Sequence, residues 1–225
     1  ANKIAVPVLA NLKIELDENG LFITGSNYDL TIKTLVPYRD GEKEIIRNYK
    51  EGATLINSKI ITEIARKMES EEITLNIIDS TIANISDNKS EYKINCVRPE
   101  EYPDIDLDPT GTSITLTKAD FDSLVTQTAF AASLKEQRPI LTALNLEGSN
   151  GILTATATDS ARMARKSVKI VEGVSFVANV PAKMMIEVKN LIENTNSIDI
   201  AFSDKKALFT VGRSIIASRL IAGDY

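Results

Sequence analysis

The chain says nearly the same thing twice. Residues 7–29 (PVLANLKIELDENGLFITGSNYD) return as 139–159 (PILTALNLEGSNGILTATATD), and the stretch from Glu51-Gly52 to Tyr102 returns from Glu172-Gly173 to Tyr225. Two blocks recurring in one order at a spacing of roughly 130 residues mark a duplicated domain rather than a short-period solenoid. Any fold for this chain must therefore be one that half of it can adopt. The 225 residues, 43% hydrophobic and 25% charged, suffice for two units of about 100 to 120 residues, each with its own core. We place them at 1–107 and 108–225.

The apolar content and the scarcity of Pro and Gly exclude a disordered or collagen-like chain. No apolar run approaches the ~18 residues that cross a bilayer. The start, ANKIAVPVLANLK, lacks a basic region followed by an apolar stretch and a small-residue cleavage site. The single cysteine, Cys96, cannot close an internal disulfide. Together these features point to a cytoplasmic protein with no membrane partner. Cys96 lies in YKINCV and reads as a small strand hydrophobe rather than a reactive thiol. The net charge of -5 argues against nucleic acid as a partner unless the cations gather on one surface.

The patterning is strand-rich with a few helices, an α+β arrangement of antiparallel sheets. Residues 12–16, 21–26 and 30–36 alternate, with Asn19-Gly20 as the hairpin signal between the first two. Residues 58–69 place Ile60, Ile61, Ile64, Ala65 and Met68 at helical spacing behind a cap at Asn57 or Ser58. Three more strands, 73–77, 81–86 and 91–97, lead to the polar, Pro-containing segment 98–110, which reads as an interdomain linker. The second unit opens with a strand at 113–116 and a helix from Lys118 to about Ser133, with Thr117 as cap and Asp120 three residues on. The duplicated strands come next, then a helix over 181–194 with Pro181 in its first turn, and strands at 197–202, 207–211 and 215–221. Nothing before Lys3 corresponds to 113–134, so the first unit is expected to lack its opening strand and helix.

Catalytic chemistry has little to stand on. With no histidine, Ser-His and Cys-His nucleophile systems and His-based metal sites are ruled out. No glycine-rich phosphate loop is present, and no cofactor or metal is implied. Asp29 and Asp159 occupy matching positions in the repeat, as the paired carboxylates of an aspartic protease would. Neither is followed by the glycine that brings such carboxylates together; the contexts are YDLT and TDSA. A structural role, accepting backbone N–H bonds in the turn before the next strand, fits both better.

Arg138-Pro139-Ile140-Leu141 and the run LTATATDSARMA at 153–164 resemble the second domain of the bacterial DNA polymerase III beta subunit, the replication sliding clamps. PVLAN at 7–11 and EEYPD at 100–104 resemble the first domain of that family. The resemblance covers essentially the whole chain, in order. It implies tandem clamp domains with sheets outside and helices on the inner face. It also implies a processivity factor with no enzymatic activity: a homodimeric ring that encircles duplex DNA without reading its sequence. Such a ring tethers the replicative polymerase, and it receives the clamp loader and repair proteins through short peptide motifs. Family members have three such domains, so a longer chain is expected, with a strand and helix upstream and a third copy downstream.

The same resemblance assigns roles to residues. Lys59, Arg66 and Lys67 on the first helix, Lys183 and Lys189 on its counterpart, and Lys118 on the other helix are implied to face DNA. Lys3, Lys135 and Arg138 precede the two proline blocks, where the family places DNA contacts. Interleaved with Glu63 and Glu187, these charges by themselves read as a solvated helix face. Leu141, Thr158, Ser160, Arg162 and Met163 are implied to supply the second domain's share of a partner-peptide pocket. Without the resemblance, Leu141 and Met163 read equally well as core. Ala161 stands where many members carry a larger polar residue. A β-rich repeat scaffold or adhesion protein binding only protein is the alternative reading.

Overall fold

Alternating side chains and short turns build the first unit from antiparallel ladders. The computed structural model describes residues 6–192 and 195–225, divided into two units, Ala1–Ile105 and Asp106–Tyr225. In the first, β1 (Asn11–Asp17), β2 (Gly20–Ser26) and β3 (Leu30–Pro37) form a meander. A two-residue-arm hairpin, β4 (Arg39–Asp40) and β5 (Lys43–Glu44), comes after it. Next, β6 (Gly52–Asn57) returns to pair with β1. The helix α1 (Ser58–Lys67) leads into a separate antiparallel sheet of β7 (Thr74–Ile78), β8 (Ile82–Ser86) and β9 (Glu91–Asn95).

The hairpin turn differs from the expected Asn-Gly form. Asp17 pairs with Gly20, so Glu18 and Asn19 are the central residues and Gly20 begins β2. Its φ of +140° is a conformation only glycine adopts readily, and a Cβ there would meet the Val36 carbonyl oxygen at 2.4 Å. In the second unit the corresponding turn does use the expected pair. Asn150 and Gly151 sit between Ser149 and Ile152 with φ of 51° and 74°, as a type I′ turn requires.

The first unit has two apolar clusters. Ile14, Ile56, Ile64, Ala83 and Ile85 form one, with Ile61, Met68, Tyr92 and the half-buried Cys96 packed on it. Burial pushes the Cys96 thiol up, in keeping with a small hydrophobe. Ile60 and Ala65, expected on the inner stripe of α1, are exposed, because only Ile64 reaches full burial against β6 and its neighbours. Leu9, Leu55 and Tyr102 form the other cluster, joined by Val97 and Ile105. The segment read as a linker is mostly exposed but anchors the core at one point: a 3₁₀ turn at Pro99–Glu101 delivers Tyr102 into the interior, with Ile105 half-buried beside it.

In the second unit β10 (Thr112–Thr117) pairs with β15 (Ser197–Phe202), followed by β16 (Lys206–Val211) and β17 (Ser214–Arg219). A second sheet runs β13 (Met163–Lys169), β12 (Ile152–Thr158), β11 (Ala143–Ser149), β14 (Phe176–Pro181). The helices α2 (Lys118–Thr128) and α3 (Ala182–Leu191) pack on each other; α2 touches strands of both sheets, and α3 covers β11 and β14. Thr117 caps α2 as expected. Its hydroxyl oxygen accepts the Asp120 N–H at 3.1 Å and its O–H reaches the Asp120 carboxylate at 2.7 Å. The helix ends at Thr128, short of the expected Ser133, and gives way to a 3₁₀ turn, Ala129–Ala131. Pro181 precedes α3 as its N-cap instead of lying in the first turn.

Phe121 of α2 meets Phe209 of β16 edge-on, with ring centroids 6.3 Å apart, and both are fully buried. Phe209→Ala is expected to destabilise the second unit by about 3–5 kcal/mol through lost burial and a residual cavity. Denaturant unfolding monitored by circular dichroism checks this.

Candidate nucleic-acid and partner surfaces

The phase of α1 is fixed at its N-cap. The Asn57 side-chain oxygen accepts the N–H groups of Lys59 (3.1 Å) and Ile60 (3.2 Å), satisfying donors that have no helical partner. With that start, Ile61, Ile64 and Met68 turn to the sheet, while Lys59, Glu63, Arg66 and Lys67 are exposed. Arg66 and Lys67 lie in the last turn, where cations meet the helix's carbonyl end. Lys59 and Arg66 line a shallow depression together with Ser58, Thr62 and Glu63. This face carries a net positive charge, with Ile60 exposed beside it, which suits non-directional attraction to phosphate.

The helix pair of the second unit is more nearly neutral. Lys118 is half-buried at the start of α2 and Lys183 is exposed on α3. Lys189 is tied across to α2, 3.4 Å from Asp122 and donating to the Thr126 hydroxyl at 2.9 Å. Asp120, Asp122 and Glu187 share these helices. Lys135 and Arg138 are exposed in the stretch before the 3₁₀ turn Pro139–Thr142. Lys3 lies outside the described residues.

Four of the five residues assigned to a partner pocket lie on one turn, and Leu141 lies on the 3₁₀ turn Pro139–Thr142, which contacts β12. Leu141 is half-buried, and its carbonyl accepts the Ser133 N–H at 2.8 Å. Between β12 and β13, the Thr158 hydroxyl accepts the Ser160 N–H (3.1 Å) and donates to the Arg162 carbonyl (2.7 Å). Asp159 accepts the N–H groups of Ala161 and Arg162, both at 3.0 Å, and its other oxygen accepts Arg162 Nε at 3.0 Å. Ser160 takes the left-handed φ of 76° that closes the turn. Met163 emerges 69% exposed at the start of β13. That exposure answers the core reading of Met163, since a core methionine would be covered.

Two neighbours escaped the sequence reading. Phe130 (60% exposed) lies where the helix was expected to continue, and Leu134 (98%) just past its expected end. The 3₁₀ turn buries Ala131 and turns Phe130 outward, with the Arg162 guanidinium 5.8 Å from its ring centroid. The early end of α2 at a β-branched Thr128, whose hydroxyl bonds back to the Leu124 carbonyl, was the available signal.

The corresponding turn of the first unit corrects the pairing of Asp29 with Asp159. There Ser26 stands for Thr158: its hydroxyl oxygen accepts the Tyr28 N–H and its O–H donates to the Leu30 carbonyl. Asn27 stands for Asp159, its Oδ1 accepting the N–H groups of Asp29 (3.2 Å) and Leu30 (2.9 Å). Tyr28, at φ 82°, stands for Ser160. Asp29 therefore matches Ala161, and the two aspartates are not equivalent. The sequence repeat misaligned them because the β1–β2 and β11–β12 turns place their glycines differently.

A tandem pair of α+β modules, each with antiparallel sheets and cation-bearing helices, is the architecture of DNA-clamp domains. Sequence models of the DNA polymerase III beta subunit match this chain in order, the N-terminal domain at residues 1–106 and the central domain at 115–225. The chain belongs to the bacterial DNA polymerase III beta subunit family. It is 31% identical over 230 residues to the beta sliding clamp of Halalkalibacterium halodurans, covering 100% of this chain and 60% of that relative. A crystal structure of the DNA polymerase sliding clamp from Bacillus subtilis is 28% identical and superposes with a TM-score of 0.95, again over 100% of this chain and 60% of that one. The beta subunit of Streptococcus pyogenes superposes at 0.90 with 28% identity and the same coverage. The chain thus spans 60% of the length of these relatives.

The backbone N–H of Ala161 and then that of Arg162 hold the Asp159 carboxyl below its ordinary value against partial desolvation, with the Arg162 side chain adding to them. A carboxyl lowered by folding lends stability that is complete above its unfolded pKa of about 3.9 and is lost as pH falls through the folded value. Asp159→Asn is expected to keep the turn, as Asn27 does in the first unit, while flattening the loss of stability as pH falls below about 4. Thermal midpoints measured across that range check it.

Proposed function

We propose that this chain forms the first and second domains of a DNA polymerase processivity factor, divided near 107–108. In the full protein, two subunits close into a ring around duplex DNA and tether the replicative polymerase. The observation that carries this reading is the likeness to beta sliding clamps along the whole chain, read with the cationic outer face of α1. The action is mechanical. Phosphate attraction without base contacts lets the ring slide, and release depends on reaching a DNA end. No residue of the chain is assigned a catalytic role: Asp29 and Asp159, the two carboxylates that invited one, are not equivalent in the fold, and Asp159 is occupied by its own turn and by Arg162.

Lys59, Arg66, Lys67, Lys118, Lys135, Arg138 and Lys183 are the proposed DNA-facing cations, together with Lys3. Lys189 serves chiefly to hold α3 to α2 and joins them more weakly. Leu141, Thr158, Ser160, Arg162 and Met163, extended by Phe130, are the proposed second-domain share of a surface for short peptides of the polymerase, the clamp loader and repair proteins. An apolar anchor would lie against Leu141 and Met163, with the turn's polar groups orienting it. A scaffold that binds only protein would have no need of the exposed cations grouped on α1.

The full-length protein, once loaded, is expected to stay on nicked circular DNA and to slip from the linear form. Equal retention on both, measured by gel filtration, would remove the topological reading. Neutralising Lys59, Arg66 and Lys67 together is expected to weaken DNA binding alike for all sequences and to lower the slope of log affinity against log salt by up to about 3. Affinity titrations over a salt series measure that slope.

A further inference from the structure

We propose that Tyr225 is a positioning residue for the partner surface: its hydroxyl completes the β11–β12 ladder as a phenol rung and thereby fixes the turn 158–163. The proposal rests on the peptide-surface reading given above. The ladder between β11 and β12 pairs Asn145 with Thr156 and stops there. Continuing that register by two residues sets Ala143 opposite Thr158. The Tyr225 hydroxyl lies between them, accepting the Thr158 N–H at 2.7 Å and reaching the Ala143 carbonyl at 3.4 Å. A backbone pair that would otherwise bond directly is bridged by a side chain. Both polar groups keep a partner where the turn begins.

The segment carrying Tyr225 is itself fastened. The Ile221 N–H donates to the Asn179 carbonyl at 2.9 Å, and Asn179 Nδ2 donates to the Gly223 carbonyl at 2.9 Å. The side chain of Asn179 is in turn held by Asn145 Nδ2 at 2.8 Å. Residues 221–225 are thus laid along the β11–β14 end of the sheet, and the phenol arrives from a defined direction. From Thr158 the constraint passes through short contacts only: the Thr158 hydroxyl to Ser160 N–H and the Arg162 carbonyl, then Asp159 to the Arg162 guanidinium. The orientation of Arg162 and Met163 therefore depends on where Thr158 is held.

The first unit places a tyrosine at the corresponding position without closing the rung. There the β1–β2 ladder ends at Lys13 and Thr24, and the same two-residue continuation sets Asn11 opposite Ser26. The buried Tyr102 hydroxyl faces the Ser26 N–H without closing a full hydrogen bond. Ser26 is the structural counterpart of Thr158, and Tyr102 is the counterpart of Tyr225 in the sequence repeat. A tyrosine after the last strand of each unit thus addresses the same rung. Only in the second unit does the turn it addresses present an exposed methionine and an arginine.

The test uses the full-length protein with Tyr225→Phe, Tyr102→Phe and Met163→Glu variants. Each is titrated by fluorescence anisotropy with a fluorescein-labelled short peptide carrying Leu and Phe anchors, and amide exchange is followed at residues 158–163. Tyr225→Phe is expected to speed exchange at Thr158 and Ser160 and to weaken the peptide about threefold to tenfold, the range for one lost hydrogen bond. Its thermal midpoint is expected to move little. Tyr102→Phe is expected to leave the peptide affinity unchanged, and Met163→Glu to abolish binding while keeping wild-type exchange at Thr158. If Met163→Glu loses the peptide while Tyr225→Phe matches wild type in affinity and exchange, the rung has no positioning role and the surface stands. If Met163→Glu binds as wild type does, the surface reading fails and the positioning role falls with it.

Discussion

Burial of one helix face by antiparallel sheets is the constraint on which the second unit depends. Phe121, Leu124 and Val125 of α2 and Met185 and Val188 of α3 are almost completely removed from water. The facing strands supply Leu144, Leu146, Leu153, Val180, Ile198, Ile200 and Phe209 at alternating positions. Helical and strand periodicities have to agree at that contact, because a one-residue slip of any strand would turn its apolar set outward. With the inner faces committed, the opposite helix faces are left largely polar, Ile186 and Leu191 excepted, and surface charge becomes available for function.

The first unit shows the same principle with less covering. Its α1 buries Ile64 fully and leaves Ile60 and Ala65 exposed, and no second helix of the α2 kind is present among its described residues. Its second apolar cluster is closed by the segment after β9, through Tyr102 and Ile105. Stability and the approach to the next module are linked in this way: the stretch that leaves the unit is also part of its interior.

Local turn chemistry connects these cores to the surfaces proposed for function. The turns after β2 and β12 use the same hydrogen-bond scheme with different residues. Ser26, Asn27 and Tyr28 occupy the positions of Thr158, Asp159 and Ser160. An amide and a carboxylate accept the same two N–H bonds, so the scheme tolerates the exchange. The two turns differ in the side chain at their far end. Arg162 can pair with a carboxylate and lie against Phe130, whereas Leu30 at the matching place has no charge to pair.

The sequence by itself determined the duplication, most of the order of strands and helices, the Thr117 cap, a cap at Asn57 or Ser58, and the family, because each is written in periodicity, short-range polar pairs or spaced motifs. It also identified Asp159 as a turn residue, since that bonding is local. The tertiary structure alone decided the rest. It shifted the turn pairing by two residues, ended α2 at Thr128 so that Phe130 faces Arg162, drew Tyr102 into a core and tied Lys189 to Asp122. It also brought the Tyr225 hydroxyl to the Thr158 N–H, across 67 residues of chain. These outcomes depend on side chains far apart in sequence meeting once the ladders are in register, and no local pattern encodes such a meeting.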